Sequence, residues 1–280
     1  MKTLIVTADD FGLTKSVNQG IALAYTEGLV NYINLMPAGE AFEDALVRIR
    51  SLKNCEIGAH LAITETKPVT NIRDVSTLVD KNGNFPKGYP ELLAGIISKK
   101  IDMAHMRLEL SNQLERIVST GLPVTCLSSH EHIHMMPGIM DLFIDIAKER
   151  RIPYIRYFFR ERFTRPVTIK KLYKLLVLSC LGRVGNGKMR SSGLSYIDHI
   201  LGFFDSGRLR EDLLVSMLSA LEDGVTELVC HPGFLGPEVV DRYKFHINCE
   251  TELYGLTSKK VKAAIESNGV TLTTFGQLPL

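Results

Sequence analysis

Long apolar runs are missing from this sequence. None approaches the roughly 20 residues that span a bilayer, and Met1-Lys2-Thr3 leads straight into a strand-like segment with no signal-peptide apolar region. The expectation is a soluble, cytoplasmic protein. Paired cysteines are missing too. Cys55, Cys126, Cys180, Cys230 and Cys249 are scattered without a C-x-x-C spacing, and three lie in apolar strand-like runs. That excludes a disulfide frame or zinc knuckle and predicts reduced core thiols. Net charge is only +2, so the overall balance gives no argument for a nucleic-acid partner. No internal repeat or low-complexity tract breaks the chain. With 280 residues and 45% hydrophobic content, it can bury a large core as one domain over residues 1–280.

The charge that does exist is unevenly placed. Between Arg156 and Arg190 stand ten basic residues against one acid, Glu161, so a segment at +9 is joined to a body at −7. This predicts a basic helical insertion near 158–195. Lys170 and Lys174 share one helical face while Leu172, Leu175, Leu176 and Leu178 supply apolar surface. Such a helix suits peripheral contact with an anionic surface such as the inner membrane; an ordinary packed helix with a basic outer edge is the alternative.

Elsewhere strand-like and helical patterns alternate, which predicts βα units and a mainly parallel sheet. Strands are expected at 3–8, 29–36, 55–63, 122–128, 152–157, 197–203, 225–230 and in the final VTLTTF; helices at 15–27, 40–52, 104–119, 138–150, 208–221 and 257–267. The stretch 64–90, with Pro68, Gly83, Pro86, Gly88 and Pro90, reads as a long loop of the kind that often carries function.

The residues with chemistry cluster in this scheme. Asp9 and Asp10 follow the apolar run Leu4-Ile5-Val6, His60 lies in the third strand, His130 follows VTCLSS, and His231 follows TELVC. Each falls at or near the C-terminal end of a strand, and in parallel β/α architectures those ends converge on one face. Two imidazoles and a carboxylate are a sensible ligand set for a divalent ion, and a cation would explain two adjacent carboxylates: one binds it and the other serves as a base. The plainer readings are a turn or helix cap for Asp9-Asp10 and a Pro-Gly turn shaped by His231. His105, His199 and His246 read as hydrogen-bonded structural residues. The alternation His130-x-His132-x-His134 puts three imidazoles on one side of an extended segment, though Pro137 and Gly138 suggest that the chain is already turning.

Taken together, TADDFG at 7–12, IGAHL at 57–61, SHEHIHMMP at 129–137 and ELVCHPG at 227–233 resemble the YdjC-like (ChbG-type) carbohydrate deacetylase family, in family order and across most of the chain. The resemblance implies a distorted TIM-like β/α barrel and metal-dependent removal of an acetyl group from an N-acetylated sugar. By motif position it implies Asp10, His60 and His130 as holders of one divalent ion, Asp9 as catalytic base and His231 as acid. Magnesium is the ion the family usually names, whereas a His-His-Asp set also suits zinc, cobalt or iron. Arg156 would stabilise a charged intermediate or orient Asp9, with a surface ion pair as the alternative; His132 and His134 join it as candidate substrate contacts. Where the family often has Asp-Ser-His, this chain has Ser128-Ser129-His130, leaving open what replaces the aspartate. RPVTIKKLYKLLVLSCLG also resembles the hopanoid-biosynthesis-associated branch, which would make the substrate an N-acetylglucosaminyl lipid instead of a soluble chito-oligosaccharide. A metal-dependent phosphoesterase of the amidohydrolase-like type and a non-catalytic glycan-binding barrel are the rival classes. Oligomeric state stays open, with a homodimer among the options.

Overall fold

The protein is described by a computed structural model over residues 1–158, 185, 187–197 and 199–278. The expected basic insertion, including Lys170, Lys171 and Lys174, lies mostly outside the described residues, as does Cys180. Eight parallel strands form one sheet: β1 (Lys2–Phe11), β2 (Tyr32–Leu35), β3 (Ile57–Leu61), β4 (Val124–Ser129), β5 (Tyr154–Ile155), β6 (His199–Leu201), β7 (Gly224–Cys230) and β8 (Val270–Leu272). They run in the order β5-β4-β3-β2-β1-β7-β6. β1 is paired with β7 along its length, while its other edge is shared by β8 near Lys2–Leu4 and β2 near Thr7–Phe11. Among the described residues no ladder joins β5 to β6, so this TIM-like β/α barrel is distorted and open there.

Helices cover the sheet because each crossover must bury an apolar stripe. The first five are α1 (Lys15–Glu27), α2 (Phe42–Ser51), α3 (Tyr89–Ile97), α4 (Met103–Val118) and α5 (Ile139–Glu149). Thr14 caps α1 by accepting Val17 N–H at 3.2 Å, and Asp102 caps α4 by accepting Ala104 N–H at 2.8 Å. Leu4, Val6 and Ala8 of β1 share a single core with Ile21, Ile33, Leu127 and Leu228. Four free cysteines line or border that interior: Cys126, Cys230 and Cys249 buried, Cys55 half-buried. No helix among the described residues is long and apolar enough to cross a membrane.

Two glycines permit close backbone approaches. Gly12 has φ +121°, and a Cβ there would meet the Met36 carbonyl oxygen at 2.5 Å. Gly20 on α1 lets the 231–234 segment approach, since a Cβ would sit 2.4 Å from Gly233 Cα. The loop after β3 holds only a short 3₁₀ turn, Ser76–Leu78, before α3 begins at Tyr89. Helices at Pro237–Asp241 and Cys249–Thr257, which the sequence patterns did not single out, complete the C-terminal side.

Candidate active site

Successive residues of a regular strand point to opposite faces, so Asp9 and Asp10 should diverge. A bulge prevents that. Ala8 pairs with Ile33 but Phe11 pairs with Leu35, giving β1 one residue more than β2, and Asp10 takes a left-handed φ of 66°. Both carboxylates thereby turn toward neighbours at the C-terminal ends of the strands, and both are 1% exposed.

Burying two acids together requires compensation, and each receives a different kind. Asp9 is clamped by Arg156, whose Nη1 donates to Oδ2 at 2.6 Å and Nη2 to Oδ1 at 2.9 Å. Asn34 adds a donor to Oδ1 at 2.7 Å. The guanidinium is itself buried and also donates to Glu227 Oε1 through Nε at 3.0 Å and Nη2 at 2.7 Å. Arg156 therefore belongs to an interior Asp9–Arg156–Glu227 array and not to a surface pair. Burial alone would raise the Asp9 pKa, but the guanidinium outweighs it and holds the carboxyl well below its ordinary range.

Asp10 has no such fixed cation; its neighbours are imidazoles. His130 Nδ1 lies 2.8 Å and His60 Nε2 3.2 Å from Oδ1, and His246 Nε2 lies 3.0 Å from Oδ2. Ser128 supports His60 on its other ring nitrogen. Its hydroxyl donates to the Ala59 carbonyl at 3.3 Å, so its oxygen accepts Nδ1–H of His60 at 2.8 Å. Nε2 then faces an Asp10 oxygen at 3.2 Å, and a nitrogen and a carboxylate oxygen directed at each other in this way can share a cation. The serine, standing where the family often has aspartate, thus contacts His60 from behind. The donor atoms of Asp10, His60 and His130 all lie within 4.8 Å of one another, and Asp10 Oδ2 is buried without a hydrogen bond. This nitrogen-rich set, with an unsatisfied carboxylate oxygen, fits a divalent ion. Without one, Asp10 and Glu65 outweigh burial and hold the His130 imidazole well above its ordinary pKa.

His231 closes the Asp9 side, with Nε2 3.9 Å from Asp9 Oδ2. Burial lowers its pKa to about 4 despite the two aspartates. Its backbone N–H donates at 2.6 Å to Glu252, a buried carboxylate that also receives Gly207 N–H. The half-exposed Phe245 ring packs edge-on against the His231 imidazole at 5.0 Å between centroids.

The H-x-H-x-H segment is not extended. Glu131 and His132 have φ of 52° and 53°, coiling residues 130–135 into a 3₁₀-like turn that sends His130 to Asp10 and leaves His132 and His134 as ring neighbours at 6.0 Å. His130 reaches Asp10, whereas His132 stacks among Phe158 and Phe203. His134 has both ring nitrogens engaged, Nδ1 with Ser129 Oγ at 2.5 Å and Nε2 with the Arg156 carbonyl at 2.7 Å. It braces the backbone that presents Arg156.

His105, read as structural, bonds Thr77 at 2.9 Å. His246 was given the same reading but contributes to the site. Glu65, Asn34 and Glu227 also belong to it and had not been singled out. His246 and Glu65 sit outside regular strands, where periodicity carries no information; Glu227 lies in β7, where its acid interrupts the apolar run TELVC.

The whole chain has recognisable relatives. Residues 3–267 match the model of the family described as YdjC-like protein. Identity is 31% over 279 residues to a carbohydrate deacetylase of Thermoanaerobacter pseudethanolicus, covering 99% of this chain and 100% of that one. It is 32% over 280 residues to a carbohydrate deacetylase of Brevibacillus brevis, covering 98% and 99%. A solved Enterococcus faecalis protein, assigned to cellobiose-phosphate cleavage, shares the fold with a TM-score of 0.78 at 24% identity, covering 100% of this chain and 99% of that one. With the match spanning nearly every element that builds the site, the chain belongs to the YdjC-like protein family.

Proposed function

We propose that this protein is a metal-dependent carbohydrate deacetylase that hydrolyses the N-acetyl group of a sugar to acetate and free amine. One observation carries the reading: adjacent buried carboxylates are wired for different tasks, Asp9 to a guanidinium with His231 nearby, Asp10 to imidazoles that converge on one point. Asp10, His60 and His130 would hold a divalent ion, which when bound would supply a Lewis acid for activating water and for offsetting charge on the acetyl oxygen. The two imidazoles favour zinc, cobalt or iron over magnesium, which prefers oxygen donors.

The chain's own groups handle the proton. Oδ1 of Asp9 already accepts from Asn34 and Arg156, whereas Oδ2 accepts one bond from Arg156 and keeps a lone pair on the His231 side. Oδ2 takes the proton of the attacking water while Arg156 fixes the carboxylate plane. His231 Nε2, 3.9 Å from Oδ2, is the group placed to receive that proton. His231, neutral at rest, then delivers it to the sugar nitrogen as the C–N bond breaks.

The substrate is an N-acetylated sugar, with soluble chito-oligosaccharides and N-acetylglucosaminyl lipids such as hopanoids as the two forms to compare. With Arg156 held in the interior, the remaining basic run from Arg160 to Arg190 favours the lipid-linked form at an anionic membrane surface. An acetate-release screen across both forms tests the proposal: acetate from either, abolished by Asp9→Asn, supports it. Phosphate release from sugar phosphates without acetate would move the protein to the phosphoesterase class.

A further inference from the structure

His130 is held through both ring nitrogens, and the second partner has no role in the reaction described above. Nδ1 faces Asp10 at 2.8 Å, while Nε2 meets Glu65 Oε2 at 2.9 Å. A neutral imidazole has one N–H to give. If the Asp10 side carries an ion, Nδ1 must present its lone pair there and Nε2 must keep the proton and donate it to Glu65. We infer that Glu65 is a positioning residue for the ion site: it selects the Nε2–H tautomer of His130, aims Nδ1 at the ion and strengthens that nitrogen as a donor. This inference rests on the metal-dependent reading above.

The backbone around Glu65 is built to hold it. Glu65 has a φ of 59°, an uncommon conformation for a residue with a side chain, and its N–H donates to the Pro86 carbonyl at 2.9 Å. Phe85 N–H returns to the Thr66 carbonyl at 3.1 Å, so both ends of the long loop close on this turn. Two buried residues one turn apart on α4 brace it. Gln113 binds Ala62 through its N–H and its carbonyl at 2.9 and 2.6 Å, and Glu109 accepts Val69 and Thr70 N–H, each at 3.0 Å. Glu109 and Gln113 are themselves joined at 2.7 Å. The loop read from its prolines and glycines therefore delivers one carboxylate to the outer nitrogen of a ligand.

The two histidines then have unequal supports. His60 leans on the Ser128 hydroxyl, a neutral acceptor, and His130 on a carboxylate. A carboxylate behind an imidazole raises its basicity, and such outer partners typically govern metal affinity by about 10–100-fold.

Equilibrium dialysis of zinc and cobalt against wild type, Glu65→Ala and Glu65→Gln tests this, with the melting temperature of each ion-free protein measured in parallel. The expected result is a loss of roughly 10–100-fold in affinity for Glu65→Ala, and a smaller loss for Glu65→Gln, whose amide oxygen still accepts Nε2–H. In zinc-loaded wild type, long-range ¹H–¹⁵N spectra should show His130 protonated at Nε2 and ligated at Nδ1. A merely structural loop residue would not control that tautomer. Glu65→Ala affinity within twofold of wild type, or a proton on Nδ1 of His130, overturns the inference while leaving the metal reading intact. A wild type that retains neither ion overturns both.

Discussion

Asp9 and Asp10 are neighbours on one strand, equally buried, and yet they live in different electrostatic surroundings. Asp9 faces a guanidinium that never gives up its charge and is locked by Glu227 behind it. Asp10 faces His60, His130 and His246, whose charges depend on protons and can be exchanged for an ion. The difference separates permanence from exchange. One carboxylate stays anionic whatever the ligand state, and the other can trade protons for a cation. Adjacent acids can share a core because their compensation is of two kinds.

Breaking the permanent side should cost the most. Arg156→Met would leave Asp9 and Glu227 buried without a cation, and a loss of about 3–5 kcal/mol in unfolding free energy is expected by chemical denaturation. Adding Glu227→Gln should recover part of it. The sign with pH follows from the depressed Asp9 pKa: the wild-type contribution is complete above the ordinary value of 3.8 and fades as pH falls toward the lower folded value. In Arg156→Met burial raises the Asp9 pKa unopposed by the guanidinium, so the difference between wild type and variant should begin to shrink as pH falls through that raised value and go on shrinking in acid.

Asp9→Asn keeps the shape and removes the proton acceptor. Turnover should drop by roughly a hundredfold or more while bound metal, measured by atomic emission, stays at the wild-type level. His60→Ala acts on the exchangeable side and should lower metal content and activity together. Normal metal with lost activity in that variant would erase the distinction between the two carboxylates. Ser128→Ala, which removes only the support of His60, should weaken metal binding by about tenfold and leave stability nearly unchanged.

Much of this arrangement was readable from the sequence because parallel β/α units bring strand ends together. Asp9, Asp10, His60, His130 and His231 each follow or close an apolar run, and the fold brings Asp10 to His60 and His130 and Asp9 to within 3.9 Å of His231. The bulge that co-orients the aspartates was not readable, since its signal is a register difference between β1 and β2 and not a residue type. The histidine alternation misled for a related reason: two left-handed residues without glycine turn an apparent strand into a coil. Partners of opposite charge far apart in sequence, such as Arg156 and Glu227, become visible only when β5 and β7 are set around β1.

The position of β1 at the centre of the sheet has a consequence for biosynthesis. Lys2 lies opposite Gly224 and Val270, so β1 pairs with strands made more than 200 residues after it. Until β7 emerges, one edge of Leu4-Ile5-Val6 has no partner, and the loop that must close spans more than 200 residues. The aspartates likewise wait for Arg156 and then for His231. A nascent chain stopped before β7 therefore has an exposed apolar edge, the very feature that chaperones hold and that aggregates. Catalytic competence and release from that hazard arrive in the same step.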